Sequence, residues 1–380
     1  MQFIDLKTQY QRIKPQMDAA LLQVLEEGSY IMGPQVEELE GQLSDYVGVP
    51  HCVTVSSGTD ALMMALMASG IGPGDGVITT AFSFFATAEV ILLCGATPIF
   101  CDCNPDTYNL DPFCLEHIIK KHLASHSSIR LKAVIPVDLY GLCADYNRIL
   151  EICQDYGLIL IEDAAQAFGA SLEGKRAGSF GRFGCTSFFP AKPLGCYGDG
   201  GAIFAHSEED AALLRSLRIH GKGKDKYDNC RVGLNARLDT LQAAVLLEKL
   251  KIFPEELDRR QQVAAWYTEA LTGLVKTPLI PEGYLSCYAQ YTIGLPDQGV
   301  RDLLIQRLKE RGIPTNVYYP KPSQRQKALK GSVIPMPNAE AAAERVLSLP
   351  MHPYLTQQEV SRICQAVAES LAQPPEGPEE

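Results

Sequence analysis

From about residue 50 to residue 205 the chain alternates short runs of aliphatic and β-branched residues with amphipathic stretches, the pattern of βαβ units around a mainly parallel sheet. The spacing predicts strands over His51–Val55, Val77–Thr79, Thr97–Cys101, Lys132–Val137, Leu158–Glu162, Cys185–Phe189 and Gly201–Ala205. Helices fall between them, among them Thr59–Ala68, Pro112–His122 and Tyr146–Tyr156. Further on, apolar residues recur at helical spacing from Arg237 to Lys251 (Leu238, Leu241, Ala244, Val245, Leu247). Pro254 predicts an interruption there, before a second helix through Trp266. Tyr288–Leu295, a helix near Arg301–Arg311 and a strand near Pro314–Tyr319 then read as a small α+β unit. The predicted fold class is α/β, with a large domain over residues 1–250, a smaller C-terminal domain over 251–373 and a flexible tail over 374–380.

Length agrees with that division, since 380 residues exceed the roughly 250–300 that one hydrophobic core serves. Hydrophobic residues at 46% and charged residues at 21% are those of an ordinary folded chain. A net charge of −11 argues against nucleic acid as partner, because affinity for a phosphate backbone comes from clustered Lys and Arg. An anionic small ligand would need local positive charge; Lys222, Lys224, Lys226, Arg231 and Arg237 supply some, or simply form a solvated loop. The twelve cysteines are scattered through apolar runs, which fits reduced thiols of a cytoplasmic protein. Cys101 and Cys103 near His117, His122 and His126 match no zinc spacing, so no metal is expected. Met1–Pro15 lacks the apolar core of a signal peptide, and no later run approaches the ~18 apolar residues of a membrane span.

Three segments carry candidate chemistry. Ser56-Ser57-Gly58-Thr59-Asp60-Ala61 follows a strand and opens a helix, whose N-terminal N–H groups and dipole can hold a phosphate or merely be capped. Leu158–Glu162 is an apolar run that delivers Asp163 to the carboxyl edge of the sheet, where doubly wound folds bind ligands. A carboxylate there can ligate magnesium, cap a helix or pair with a cationic cofactor nitrogen. The third segment is Thr186-Ser187-Phe188-Phe189-Pro190-Ala191-Lys192-Pro193-Leu194-Gly195, followed by Gly198-Asp199-Gly200-Gly201. Here a lysine sits between two prolines that fix the backbone, beside glycines that allow a ligand close. A lysine held so rigidly among apolar and small residues suits a nucleophile. The glycines follow neither the dinucleotide order nor that of a nucleoside-triphosphate loop.

With these segments the chain resembles the DegT-type nucleotide-sugar aminotransferases, fold-type I enzymes that use pyridoxal 5'-phosphate. The resemblance runs from Phe3-Ile4-Asp5-Leu6, through Gly33-Pro34, to Ser348-Leu349-Pro350-Met351-His352-Pro353. Thr186–Gly201 and Arg231–Asp239 look most like the enzymes acting on UDP-2-acetamido-2-deoxy-3-oxo-glucuronate. What this implies is a large domain with a seven-stranded, mainly parallel sheet between helices, and an amino group passing from L-glutamate, through pyridoxamine 5'-phosphate as intermediate, to C3 of a UDP-linked keto-uronic acid for surface polysaccharide (O-antigen). Other UDP- or dTDP-keto sugars aminated at C3 or C4, and a non-catalytic cofactor-binding regulator, are the alternative readings. The related sugar dehydratases generally carry histidine in place of the Schiff-base lysine, and Lys192 speaks against that reaction.

The same resemblance implies roles at matching positions. Lys192 would form the Schiff base and shuttle a proton, and Asp163 would pair with the pyridinium nitrogen. Gln166 would bond the ring hydroxyl, Phe84 would stack on the ring, and Gly58, Thr59 and Ser187 would hold the phosphate. Asn235 would reach that phosphate from a second subunit, so that a homodimer shares its active sites, and Arg237 would clamp the sugar carboxylate. Tyr318 and Tyr319 would meet the substrate; Tyr318 stands where the family commonly has histidine, and a tyrosine cannot become cationic.

Overall fold

The computed structural model describes residues 1–125, 127–225, 227–329 and 334–372. His126, Lys226 and the tail expected over 374–380 lie outside the described residues. Three helices, α1 (Leu6–Arg12), α2 (Lys14–Glu27) and α3 (Pro34–Val47), precede strand β1 (His51–Val55). There follow α4 (Gly58–Ala68), β2 (Asp75–Thr80), α5 (Ala86–Leu93), β3 (Thr97–Cys101), α6 (Pro112–Ala124), β4 (Arg130–Ile135), α7 (Tyr146–Tyr156) and β5 (Ile159–Asp163). A short hairpin, β6 (Ser171–Leu172) and β7 (Lys175–Arg176), separates these from β8 (Phe183–Ser187), β9 (Gly201–Ala205) and α8 (Glu208–Leu217). The long α9 (Thr240–Leu271) leads to β10 (Tyr284–Leu285), β11 (Tyr291–Gly294), α10 (Gln298–Glu310), α11 (Pro337–Arg345), β12 (Val346–Leu349) and α12 (Gln357–Ala372).

Seven strands form the main sheet in the order β1-β9-β8-β5-β4-β2-β3, as expected for this fold class. All neighbours run parallel except β9, which is antiparallel to both β1 and β8. Parallel strands buried on both faces read as continuous apolar runs, which is why β4 and β5 were plain in the sequence. One face packs Val53, Val77, Ile135, Ile161 and Ile203 against α4, α5 and α8. The other carries Ile78, Val134 and Leu160 against α6 and α7, and Cys52, Phe204 and Ala202 against α3 and α9. A separate core gathers β11, β12, α10, α12 and the end of α9.

Three expectations need correction. Pro254 does not break the helix: α9 is continuous from Thr240 to Leu271 with the proline inside. Proline costs a helix one backbone bond, but Phe253 before it and Leu257 after it are anchored in one core, and Val263 and Tyr267 further along in another, and that burial outweighs the lost bond. The segment Pro314–Tyr319 is not a strand. It pairs with β12 only through Asn316, whose N–H and carbonyl bond Ser348 at 3.2 and 2.8 Å. The strand expected at Cys185–Phe189 is displaced to Phe183–Ser187, because the chain leaves the sheet at Phe188 to form the Lys192 loop.

Candidate active site

The carboxyl edge of the sheet collects the chemistry. β1 ends into Ser56–Gly58, β2 into Ala81–Phe84, β4 into Asp138, β5 at Asp163 and β8 at Ser187. Ser57 caps α4, its hydroxyl oxygen accepting from the Asp60 N–H at 3.0 Å. The N–H groups of Gly58 and Thr59 lie in the first turn and have no intrahelical acceptor, so they are available to an anion. Gly58 has a second reason to be glycine: a Cβ there would sit 2.7 Å from Cβ of Ser187. Gly58, Thr59 and Ser187 are thus brought to one spot, where a side chain on Gly58 would fill the space.

Asp163 is buried at the strand end, and its carboxylate accepts from Thr87 Oγ1 at 2.8 Å and from the Ala165 N–H at 3.2 Å. Burial raises its pKa above the usual carboxylate range, while those two bonds and the charge of Lys192 pull it back. Lys192, half-buried, is at the opposite pole: removal from water pushes its ammonium down to about 8, with Asp163 opposing. Its loop is closed by Lys192 N–H donating to the Phe189 carbonyl at 2.8 Å.

Gln166 is fixed at both ends. Its Oε1 accepts from the Tyr140 N–H at 2.9 Å, and its Nε2 donates to Tyr319 Oη at 3.0 Å. Burial raises the Tyr319 phenol, which keeps it a neutral donor. Tyr140 donates its hydroxyl to the Tyr318 carbonyl, and the Tyr318 ring lies 6.3 Å from that of Phe3. Among the three aromatics near residue 84, Phe82 is in the core, Phe85 is half-buried at the cap of α5, and Phe84 is exposed with its ring 6.1 Å from Tyr319. Asn235 and Arg237 flank Ala236, whose carbonyl accepts from the Ser56 N–H at 3.0 Å. They line a cavity of about 380 Å³ with Ile31, Ser56, Gly198, Asp199 and Gln242, and Arg237 Nε is buried without a hydrogen-bond partner among the described residues. Lys222, Lys224 and Arg231 are exposed.

Sequence reasoning missed Thr87 and the Tyr140 backbone, which hold Asp163 and Gln166, and Cys287, whose thiol donates to the Gln166 carbonyl at 3.3 Å. Only Thr87 had a signal, lying three residues after Phe84 at the opening of α5. Together these residues fit pyridoxal phosphate: free N–H groups for a phosphate, a buried carboxylate for a ring nitrogen, and a lysine of lowered basicity for an aldehyde.

Comparison with known proteins gives the same reading. Residues 11–368 match the DegT/DnrJ/EryC1/StrS aminotransferase family. The UDP-2-acetamido-2-deoxy-3-oxo-D-glucuronate aminotransferase of Pseudomonas aeruginosa is 49% identical over 368 residues, 97% of this chain and 99% of that protein. A crystal structure of a DegT DnrJ EryC1 StrS aminotransferase from Brucella abortus superposes with a TM-score of 0.95 at 48% identity, covering 98% of this chain and 100% of that one. The PLP-form of the sugar aminotransferase Spr1654 from Streptococcus pneumoniae does so with a TM-score of 0.86 at 27% identity, covering 94% and 96%. The chain belongs to the DegT/DnrJ/EryC1/StrS aminotransferases and is a pyridoxal-phosphate-dependent sugar aminotransferase of fold type I.

Proposed function

We propose that this enzyme transfers the amino group of L-glutamate to the 3-keto carbon of UDP-2-acetamido-2-deoxy-3-oxo-glucuronate, in the cytoplasm, on the way to an amino sugar of surface polysaccharide such as O-antigen. The observation that carries the substrate is the 49% identity, over 97% of the chain, to the Pseudomonas aeruginosa enzyme of that name. No described helix is long and apolar enough to cross a membrane.

In this reading Lys192 and Asp163 are the catalytic residues. When bound, the cofactor supplies an aldehyde carbon that takes up an amino group and a ring that draws electrons from the neighbouring carbon. Lys192 Nζ, whose basicity burial has lowered, moves the proton at the substrate carbon. Asp163 holds a proton on the ring nitrogen, and Thr87 and the Ala165 N–H keep that carboxylate oriented. Gly58, Thr59 and Ser187 hold the phosphate, Gln166 the ring hydroxyl and Phe84 one ring face. Asn235 and Arg237 act across a homodimer interface, Asn235 on the phosphate and Arg237 on the sugar carboxylate. Arg237 Nε has no partner among the described residues of its own chain, which supports a ligand from outside it. Tyr318 and Tyr319 donate to the sugar; since neither becomes cationic, the carboxylate rests on Arg237.

The test is formation of 2-oxoglutarate from glutamate by the cofactor-loaded enzyme, with a panel of keto sugars. The UDP-3-oxo-uronate should drive it, and dTDP-4-keto sugars should not. Turnover with the latter alone would overturn the substrate assignment.

A further inference from the structure

The loop that carries Lys192 is fastened from within and from without. Within it, the Phe188 carbonyl accepts from the Cys196 N–H at 2.8 Å, and Gly195 is folded so tightly that a Cβ there would lie 2.6 Å from the carbonyl oxygens of Phe189 and Pro190. From without, it is gripped by α9. Gln242 Oε1 accepts from the Tyr197 N–H at 2.8 Å, and Lys249 Nζ donates to the Gly195 carbonyl at 2.6 Å while lying 4.2 Å from the centre of the Tyr197 ring. Residues seven apart lie on one face of a helix. Gln242, Lys249 and Glu256 therefore make a polar stripe along a helix face otherwise packed into the core. Only the first two reach the Lys192 loop; Glu256 accepts from Gln9 Nε2 at 2.9 Å and from the Tyr354 hydroxyl.

Lys249 is the only lysine among the buried described residues, at 1% exposure. An ammonium taken out of water costs far more than a leucine or methionine at the same place, unless it is bonded. Among the described residues no carboxylate forms an ion pair with it. Burial holds its basicity down to about 8; Glu256 on its own helix and Cys196 on the loop act in the other direction. Packing alone would be better served by an apolar side chain. What the charge secures is the carbonyl three residues beyond Lys192.

We propose that Lys249, assisted by Gln242, is a positioning residue that holds the Lys192 loop in the shape needed to present its amine to the cofactor. The proposal rests on Lys192 being the lysine that binds the cofactor, and borohydride reduction of the wild-type holoenzyme with peptide mapping tests that premise separately. An adduct elsewhere sinks the premise, whatever the variants do. With the adduct on Lys192, the full chain stripped of cofactor is titrated with pyridoxal 5'-phosphate, following visible absorbance and the circular dichroism of the bound ring. Lys249→Met should bind about tenfold more weakly, the scale of one hydrogen bond from a charged donor, and should alter the dichroism. Glu256→Gln, on the same stripe but off the loop, should stay within about twofold of wild type. If Lys249→Met does not fold, Gln242→Leu decides in its place, with a loss of about threefold expected. Wild-type affinity and dichroism in the deciding variant would overturn the proposal. So would an equal loss in Glu256→Gln, which would reduce the stripe to general support of α9.

Discussion

Burial acts in opposite directions on the two residues that face each other across this site. It makes Lys192 a weaker base and Asp163 a weaker acid, each opposed by the charge of the other. An amine must be neutral to attack an aldehyde, so capture of the cofactor by the stripped enzyme should accelerate as pH rises through about 8, rather than near the ordinary lysine value of 10.5. A rate that keeps climbing to the higher value would mean that Lys192 is not desolvated. Lys192→Ala should cut turnover by at least ~10³-fold with the fold intact by circular dichroism. Asp163→Asn, which keeps shape and loses charge, should lower kcat by about 10²–10³-fold, and unchanged kcat would mean that another group protonates the ring. At this scale Lys192 and Asp163 were legible because each follows a strand and stands in a distinctive run. Thr87 and Cys287 were not, since a threonine in a helix's first turn and a cysteine between serine and tyrosine have ordinary explanations that only proximity removes.

Among the elements, the junction of α4 with β8 is closely packed. Gly58→Ala places a methyl group 2.7 Å from Ser187 Cβ, overpacking that should cost about 1–3 kcal/mol and appear as a lower Tm of the cofactor-free protein. Ser187→Gly in the same chain should recover that Tm without recovering cofactor affinity, because it relieves the clash and removes a phosphate ligand together. Recovery of both would show that Ser187 is only a spacer. The strands of this sheet were readable to within a few residues because they are buried on both faces. The strand expected at Pro314–Tyr319 was not, because the aromatic and β-branched residues there serve the site and the neighbouring core instead of a ladder. Local propensity was overridden by tertiary packing at Pro254 also, in the opposite sense.

For the whole molecule, a site shared between subunits has a signature that one chain cannot produce. Lys192→Ala and Arg237→Ala proteins, each nearly inactive, should regain about a quarter of wild-type turnover when unfolded together and refolded, since half the dimers are then mixed and each holds one complete site. No recovery would place Arg237 with Lys192 of its own chain. A single sequence reveals neither the interface nor which subunit lends which residue. It could show Asn235 and Arg237 as candidates, and the fold adds that the two line one cavity with Ser56 and Gly198.

The unbroken passage of α9 through Pro254 reaches into solution behaviour as well. Trp266, the chain's one tryptophan, sits on the far part of that helix against the C-terminal core, while the near part grips the loop of Lys192. Its fluorescence in rising urea should therefore fade along the same curve as the visible colour of the bound cofactor, as a single cooperative melt. Two separated curves would mean that the helix gives way at its proline before either end lets go.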